Sequence, residues 1–272
     1  MPFIQLDKGY RIHYLDKGKG KNLVYIHGYL GSSWIYENLV EYFSKDFRVI
    51  AIDHLGHGKS DKPESVSYEL EDLTNYLEQT LSKIIGDEKI ILHGHSMGGM
   101  IAQIYATTPN YAKRLSALIL MSSAPILQNP GLIQYIEDIR AGKMKIIDRE
   151  VVSTIFINLC FNRRYKRKNP NLIEDFINKT LENEEFVGFK TMNSIVNNYN
   201  VEDKIQTINV PTLILTGDKD IFILPQESEK MHQKIPNSQL SVFSPNIGHM
   251  VNYEAKDDYI KVVEDFLEKI NF

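Results

Sequence analysis

The sequence predicts an α/β protein with a mostly parallel β-sheet, and two patterns support this prediction. Short, continuously apolar segments recur along the chain and alternate with segments that have helical periodicity. Strands that are buried on both faces have this composition, and they occur mostly in parallel sheets covered by helices. The second pattern is a long stretch, residues 126–207, with helical periodicity and no clear buried strand. We therefore expect one sheet domain that carries a helical insertion.

The individual elements follow from these patterns and from the turn residues between them. The predicted strands are residues 3–6, 10–15, 23–26, 47–52, 89–92, 117–121, 212–216 and 239–243. The predicted helices outside the insertion are about 70–85, 96–106, 226–234 and 258–270. Pro125 and Pro130 mark the start of the insertion, and Pro211 lies just beyond its end. The predicted domains are thus a sheet core of residues 1–125 and 208–272 and a helical cap of residues 126–207.

Composition restricts the class of protein further. The chain has 272 residues, of which 43% are hydrophobic and 24% charged, with a net charge of −4. These values favour a globular protein that binds neither nucleic acid nor a membrane surface, and we interpret the basic run at 163–168 as a solvated face. No signal peptide or membrane-spanning segment is evident. The single cysteine, Cys160, predicts a small buried side chain and a reducing, cytoplasmic location.

The most specific motif is Gly94-His95-Ser96-Met97-Gly98, which lies between a predicted strand and a predicted helix. This is the G-x-S-x-G pattern in its strand–turn–helix context. A serine hydroxyl becomes a useful nucleophile when a tight turn presents it beside a general base. Ser96 is therefore the candidate nucleophile.

A nucleophilic serine needs a base, and the base needs an orienting carboxylate. Among the eight histidines, His249 lies in the loop between the last strand and the last helix, where sites form in α/β sheets. The strand at 212–216 leads to Asp218 and Asp220, and we choose Asp220 with Asp218 as the alternative. The predicted triad is Ser96, Asp220 and His249, in the chain order typical of the G-x-S-x-G fold.

The developing oxyanion needs backbone N–H donors that are already in place. Met97 follows the nucleophile and opens a helix, whose first N–H groups have no intrahelical acceptor. The second donor is expected in the loop after the strand at 23–26, where the Tyr29 amide is the best candidate and Gly28 allows close approach.

Five motifs together resemble the α/β-hydrolase superfamily over nearly the whole chain. They are His27-Gly28-Tyr29 with Trp34, the segment 53–60, the segment 94–99, Gly217-Asp218-Lys219-Asp220, and Gly248-His249. The resemblance implies a mostly parallel eight-stranded sheet with the helical insertion as a lid, and a bracing role for the segment that contains Asp53.

Within that superfamily, a serine at position 96 indicates acyl transfer to serine, since haloalkane dehalogenases and epoxide hydrolases have aspartate there. The Gly-Gly-Ser-Trp-Gly motif of proline iminopeptidases is lacking. We predict a serine carboxylesterase for small or medium acyl esters. A carbon–carbon bond hydrolase of ring-fission products, a hydrolase-like ligand receptor and an acyltransferase remain alternatives.

The remaining expectations concern the acyl pocket, cofactors and assembly. Eight apolar residues of the insertion are candidates for an acyl pocket: Ile155, Phe156, Leu159, Phe161, Phe176, Phe186, Val187 and Phe189. No nucleotide fingerprint follows the first strand, and the His54/His57 and His93/His95 pairs lack a convincing ligand set. We expect no cofactor and no metal, a small-molecule ester as the partner, and a monomer or homodimer.

Overall fold

A single mixed sheet forms the centre of the molecule, which is represented by a computed structural model that describes residues 2–127, 130–143 and 148–270. Its strands are β1 (Phe3–Gln5), β2 (Arg11–Lys17), β3 (Asn22–Ile26), β4 (Arg48–Ile52), β5 (Ile90–His95), β6 (Leu115–Met121), β7 (Thr212–Gly217) and β8 (Ser238–Phe243). They follow the order β1-β2-β4-β3-β5-β6-β7-β8. The β1–β2 and β2–β4 pairs are antiparallel, and the pairs from β4 to β8 are parallel. The predicted sheet is therefore confirmed.

Helices cover both faces of this sheet. Those outside the insertion are α1 (Glu37–Phe43), α2 (Leu70–Ile85), α3 (Met97–Thr107), α4 (Pro109–Ala112), α10 (Pro225–Lys234), α11 (Val251–Glu254) and α12 (Lys256–Lys269). Side chains of α2, α3 and α10 belong to one buried apolar cluster, and those of α1 and α12 to a second. Neighbouring residues of β3 alternate between the clusters, because successive side chains of a strand point to opposite faces.

Helix α2 illustrates how the sequence specifies these elements. Leu70, Leu73, Leu77 and Leu81 recur at intervals of three and four residues, and all four are buried. The helix ends at Gly86, whose φ of 60° is a left-handed conformation that glycine adopts readily. The structure therefore confirms the bounds predicted for this helix.

The insertion between β6 and β7 is helical, as the sequence predicts. Its helices are α5 (Pro130–Arg140), α6 (Arg149–Cys160), α7 (Arg163–Lys168), α8 (Pro170–Thr180) and α9 (Glu185–Asn193). Ile157 of α6 and Phe176 of α8 join one of the two sheet clusters, and Val187 of α9 joins the other. None of the helices in the described part of the chain is long and apolar enough to cross a membrane.

Candidate active site

Ser96 occupies the sharp turn between β5 and α3. Its φ of 53° and ψ of −118° form a conformation that residues with a side chain rarely adopt. Such strain costs about 1–3 kcal/mol and persists only where the surroundings fix the backbone. Here the Ser96 N–H donates to the Met121 carbonyl at 2.9 Å, and the Ser96 carbonyl accepts from the Met100 N–H at 3.1 Å. The turn therefore holds Ser96 from both sides.

Two glycines of the motif are required by close packing around this turn. A Cβ atom on Gly94 would lie 2.4 Å from the Gly98 carbonyl oxygen, and one on Gly98 would lie 2.3 Å from the carbonyl oxygen of Ile26. Both distances are far below van der Waals contact. The spacing of the G-x-S-x-G motif thus follows from the approach of β5, α3 and β3 at one point.

His249 and Asp220 form a buried pair. Nδ1 of His249 lies 2.8 Å from Oδ2 of Asp220, and both side chains are almost fully buried. Oδ1 of Asp220 accepts hydrogen bonds from the backbone N–H groups of Phe222 at 2.9 Å and Ile223 at 3.0 Å. A carboxylate oxygen accepts in this contact, so Nδ1 is the nitrogen that donates, and in the neutral ring the free lone pair is then on Nε2. This is the tautomer that a general base requires.

The loop that bears His249 is anchored at several points. The His249 N–H donates to the Cys160 carbonyl at 3.0 Å, and Nε2 of the His95 ring lies 3.2 Å from the His249 carbonyl. Burial lowers the pKa of His95 well below its usual value, which keeps this ring neutral. Oδ1 of Asp218 accepts from the Ile247 N–H at 2.8 Å. The structure therefore places Asp220, not Asp218, against His249, and Asp218 braces the loop instead.

The two predicted oxyanion donors come from different elements next to the Ser96 turn. Met97 begins α3, so its N–H is among the first of a helix. Tyr29 lies in the loop after β3, which the Gly31 N–H to Gly28 carbonyl bond of 3.0 Å closes into a turn. A Cβ atom on Gly28 would lie 3.0 Å from the Cβ atom of Ser96. The Tyr29 loop thus approaches the Ser96 turn closely.

A cavity of about 310 Å³ opens beside Ser96 and His249. Its lining is predominantly apolar, with Arg149, Glu184 and Glu185 as exposed charged residues. Of the eight apolar residues predicted for an acyl pocket, four line this cavity: Ile155, Phe156, Leu159 and Phe189. The other four do not. Phe176 borders a smaller neighbouring cavity, whereas Phe161, Phe186 and Val187 pack among other core residues.

Asp53 belongs to a buried network behind the site. Its carboxylate accepts from the Ser33 N–H at 2.6 Å and the Lys59 N–H at 2.8 Å, and its Oδ2 lies 2.8 Å from Nδ1 of His13. Burial alone would raise the pKa of Asp53, but His13, the nearby His27 and these N–H groups outweigh burial and lower it to about 2. The network ties β2, β4 and the 3₁₀ turn that precedes α1 together, which agrees with the bracing role expected for this segment.

Glu254 is a residue near the site that the sequence analysis did not select. Its carboxylate accepts from the Gly248 N–H at 3.2 Å and from the Asn162 N–H and side-chain amide. Burial raises the pKa of Glu254 to about 7, although these N–H donors oppose the shift. No motif surrounds Glu254 in the sequence. Its role depends on the contact with Asn162, 92 residues away, which no local pattern predicts.

The described residues contain no cluster of side chains arranged to bind a metal ion. No group of three or more His, Cys, Asp or Glu side chains there is arranged to hold an ion. Cys160 is buried, and burial raises the pKa of its thiol well above the usual value, which keeps it protonated and unreactive.

Comparison with known proteins agrees with this fold. A model of the alpha/beta hydrolase fold family matches residues 21–256, so the chain belongs to that family. The chain is similar to a proline iminopeptidase of Saccharolobus solfataricus, with 28% identity over 94% of this chain and 88% of the relative. It is also similar to Lipase 1 of Psychrobacter immobilis, with 27% identity over 94% of this chain and 80% of the relative.

Solved structures show the same fold. A thermophilic esterase from Thermogutta terrifontis superposes over the full length of both chains with a TM-score of 0.89 and 23% sequence identity. At this identity the likeness concerns the fold alone. Family membership makes the chain a hydrolase, and the relatives differ in the bond that they cleave.

Proposed function

We propose that the chain is a serine carboxylesterase with Ser96 as nucleophile, His249 as general base and Asp220 as the orienting carboxylate. The observation that carries this proposal is the 2.8 Å contact between His249 and Asp220 beside a cavity that both Ser96 and His249 border. The apolar lining of that cavity suits the hydrocarbon part of an ester.

The proposed reaction has two halves. Oγ of Ser96 attacks the ester carbonyl carbon, and its proton passes to Nε2 of His249. The bond from the carbonyl carbon to the alkoxy oxygen breaks, and His249 gives the proton to the departing alcohol. Water then attacks the acyl-enzyme in the same way, which releases the acid and restores Ser96. The amides of Tyr29 and Met97 are the proposed oxyanion donors, and one such donor contributes about 10²–10³ in rate.

The test is hydrolysis of p-nitrophenyl acetate, butyrate and octanoate by the wild type and by Ser96→Ala. We expect turnover that falls by at least about 10⁴-fold in Ser96→Ala, because the acyl-enzyme can no longer form. His249→Ala should fall similarly, and the double variant should lose little more, since the residues act as a unit. A folded wild type without turnover would contradict the proposal. A dienoate ring-fission product and single-turnover binding assays would then test the carbon–carbon hydrolase and receptor alternatives.

A second candidate, an aminopeptidase, is favoured by the carboxylates of Glu184 and Glu185 at the cavity. Carboxylates can bind the ammonium group of an unblocked amino terminus, and one relative is a proline iminopeptidase. The two candidates separate on L-prolyl p-nitroanilide and its N-acetyl derivative. An esterase cleaves neither at a useful rate, whereas cleavage of the unblocked compound alone supports the aminopeptidase.

We further propose that residues 126–207 act as a lid over the site. Helices α6 and α9 line the cavity, and lids of this kind exclude water during the reaction. Hydrogen exchange with and without a covalent phosphonate on Ser96 tests this role. Protection should increase in α6 and α9, and unchanged exchange in both helices would argue against a lid.

A further inference from the structure

Two cavities of very different size meet at Ser96. The large cavity measures about 310 Å³, and the small one measures about 30 Å³. Six residues border both cavities: Tyr29, Leu30, Ser96, Phe156, Thr180 and His249. An ester bound at Ser96 has two substituents, one on each side of its carboxyl group, and the two cavities are the spaces open to them.

The small cavity has closely packed walls. Ile157, Cys160 and Phe176 of its lining are at most 4% exposed. The Phe176 ring lies 4.6 Å from the Trp34 ring and 5.1 Å from the Tyr253 ring, measured between centroids. Packed interiors do not expand freely, because an extra methylene forces side chains out of their preferred rotamers. The volume of this cavity is therefore close to an upper limit.

The wall between the cavities is also fixed. The Tyr29 and Phe156 rings meet edge to face, with centroids 5.5 Å apart and an interplanar angle of 90°. The Tyr29 hydroxyl donates to the Gly188 carbonyl at 3.2 Å, which ties this wall to α9. Tyr29 and Phe156 border both cavities, and moving either ring would break these contacts, which opposes merging of the two spaces.

Cavity size translates into substituent size. A water-sized group needs about 10–15 Å³ of cavity volume on this scale. The small cavity therefore accepts about two such groups, and the large cavity accepts about twenty. Resting on the proposed esterase function, we infer that the substrate class is asymmetric esters with one substituent of at most two carbons and one long apolar substituent. Esters with two medium-length substituents should be poor substrates.

Three isomeric esters of ten carbons test this inference: octyl acetate, ethyl octanoate and butyl hexanoate. Their common composition makes their hydrophobicity similar, so differences in kcat/KM report the fit of the two substituents. We expect butyl hexanoate to have a kcat/KM about 10- to 100-fold below the better of the other two, because overpacking costs about 1–3 kcal/mol. The preferred isomer also reveals whether the small cavity holds the acyl or the alcohol group.

A matched pair of substitutions on α6 tests the assignment of the cavities. Ile157 lines only the small cavity and Ile155 lines only the large one. Ile157→Ala should raise the kcat/KM of butyl hexanoate relative to octyl acetate by about 10-fold, because it removes the overpacking. Ile155→Ala makes the same chemical change on the same helix and should leave that ratio unchanged.

The outcomes separate this inference from the function on which it rests. Similar kcat/KM values for all three isomers overturn the size limit and leave the esterase proposal intact. An equal gain in both α6 variants overturns the assignment of the cavities. If the wild type cleaves neither these isomers nor p-nitrophenyl acetate, the esterase proposal fails, and the inference fails with it. The wild-type comparison remains decisive even if Ile157→Ala does not fold.

Discussion

The loops at the carboxyl ends of the strands and the helices of the insertion position their side chains by different means. Ser96 is held by a strained backbone turn, and Asp220 by two backbone N–H groups. Ile155 and Leu159, on α6 of the insertion, line the large cavity. Their side chains are 53% and 45% exposed, so fewer neighbours fix them than fix Ser96 and Asp220. Under the proposed function, the loops carry the reacting groups and the insertion contributes much of the substrate cavity. Changes in the loops should therefore alter the rate for every ester, and changes of insertion residues that line the small cavity should alter the choice between compact and extended substituents.

Among the substitutions that test this comparison, Asp220→Asn should have the largest effect. The asparagine NH₂ group can donate to Nδ1 of His249, whereas the aspartate can only accept from it. The His249 ring then loses its preferred tautomer, and kcat falls by about 10⁴-fold. Steady-state hydrolysis of p-nitrophenyl acetate measures this loss.

Asp218→Asn is the matched control, since it makes the same change two residues away. Asp218 accepts one N–H bond from Ile247, and an asparagine oxygen can accept it too. Its kcat should stay near the wild-type value. Near-normal activity of Asp220→Asn together with severe loss in Asp218→Asn would reverse the two assignments.

A smaller effect is expected for Gly28→Ala. The added methyl group would lie 3.0 Å from the Cβ atom of Ser96 and 3.3 Å from Nδ1 of His95, so the Tyr29 loop or these neighbours must give by a few tenths of an ångström. Displacing a catalytic group by about 1 Å costs about 100-fold in rate, so we expect this smaller displacement to lower kcat by up to about 10-fold.

Gly86→Ala provides a control for the general cost of adding a methyl group. Gly86 lies at the end of α2 with a φ of 60° and has no atom within 4 Å of its added Cβ position. This variant should lower the Tm and leave kcat unchanged. An equal loss of kcat in both variants would remove the evidence that the Tyr29 loop acts in catalysis.

The smallest effect concerns Glu254, which joins the two regions by binding Asn162 of the insertion and Gly248 of the His249 loop. Because burial raises the pKa of Glu254 from 4.5 to about 7, the folded chain keeps a proton that the unfolded chain releases. This contribution to stability is complete below about pH 4.5 and is lost as the pH rises through 7. Glu254→Gln, which cannot ionise, should therefore gain in Tm relative to the wild type between pH 5 and pH 8. Parallel Tm profiles of the two proteins would contradict this prediction.

Patterns within short segments were sufficient to predict the sheet core. The leucines of α2 follow one helical period. The apolar runs of β5 and β7 indicate buried strands without knowledge of which strands they pair with. Helix α1 was not predicted, because it has only seven residues and begins directly after a 3₁₀ turn, Ser33–Tyr36, so no clear period develops.

The sequence identified the candidate site less completely than the fold. The G-x-S-x-G motif selected Ser96, and the loop after the last strand selected His249. Asp218 and Asp220, however, are separated by one residue, and the path of the loop alone decides which one meets His249. The division of the cavity depends on Tyr29 meeting Phe156, which lies on a distant helix. Periodicity within a segment contains no information about such contacts.

The hydrogen bond from the His249 N–H to the Cys160 carbonyl has a consequence for protein engineering. Cys160 is the last residue of α6, so the backbone of the insertion holds the backbone of the residue assigned as general base. The insertion is therefore not an independent module that can be exchanged for that of a homologue to alter substrate choice. A chimaera would have to retain residues 160–162, because Cys160 holds the His249 backbone and Asn162 binds Glu254. Without them, the exchange would alter the host's catalytic site as well as its selectivity.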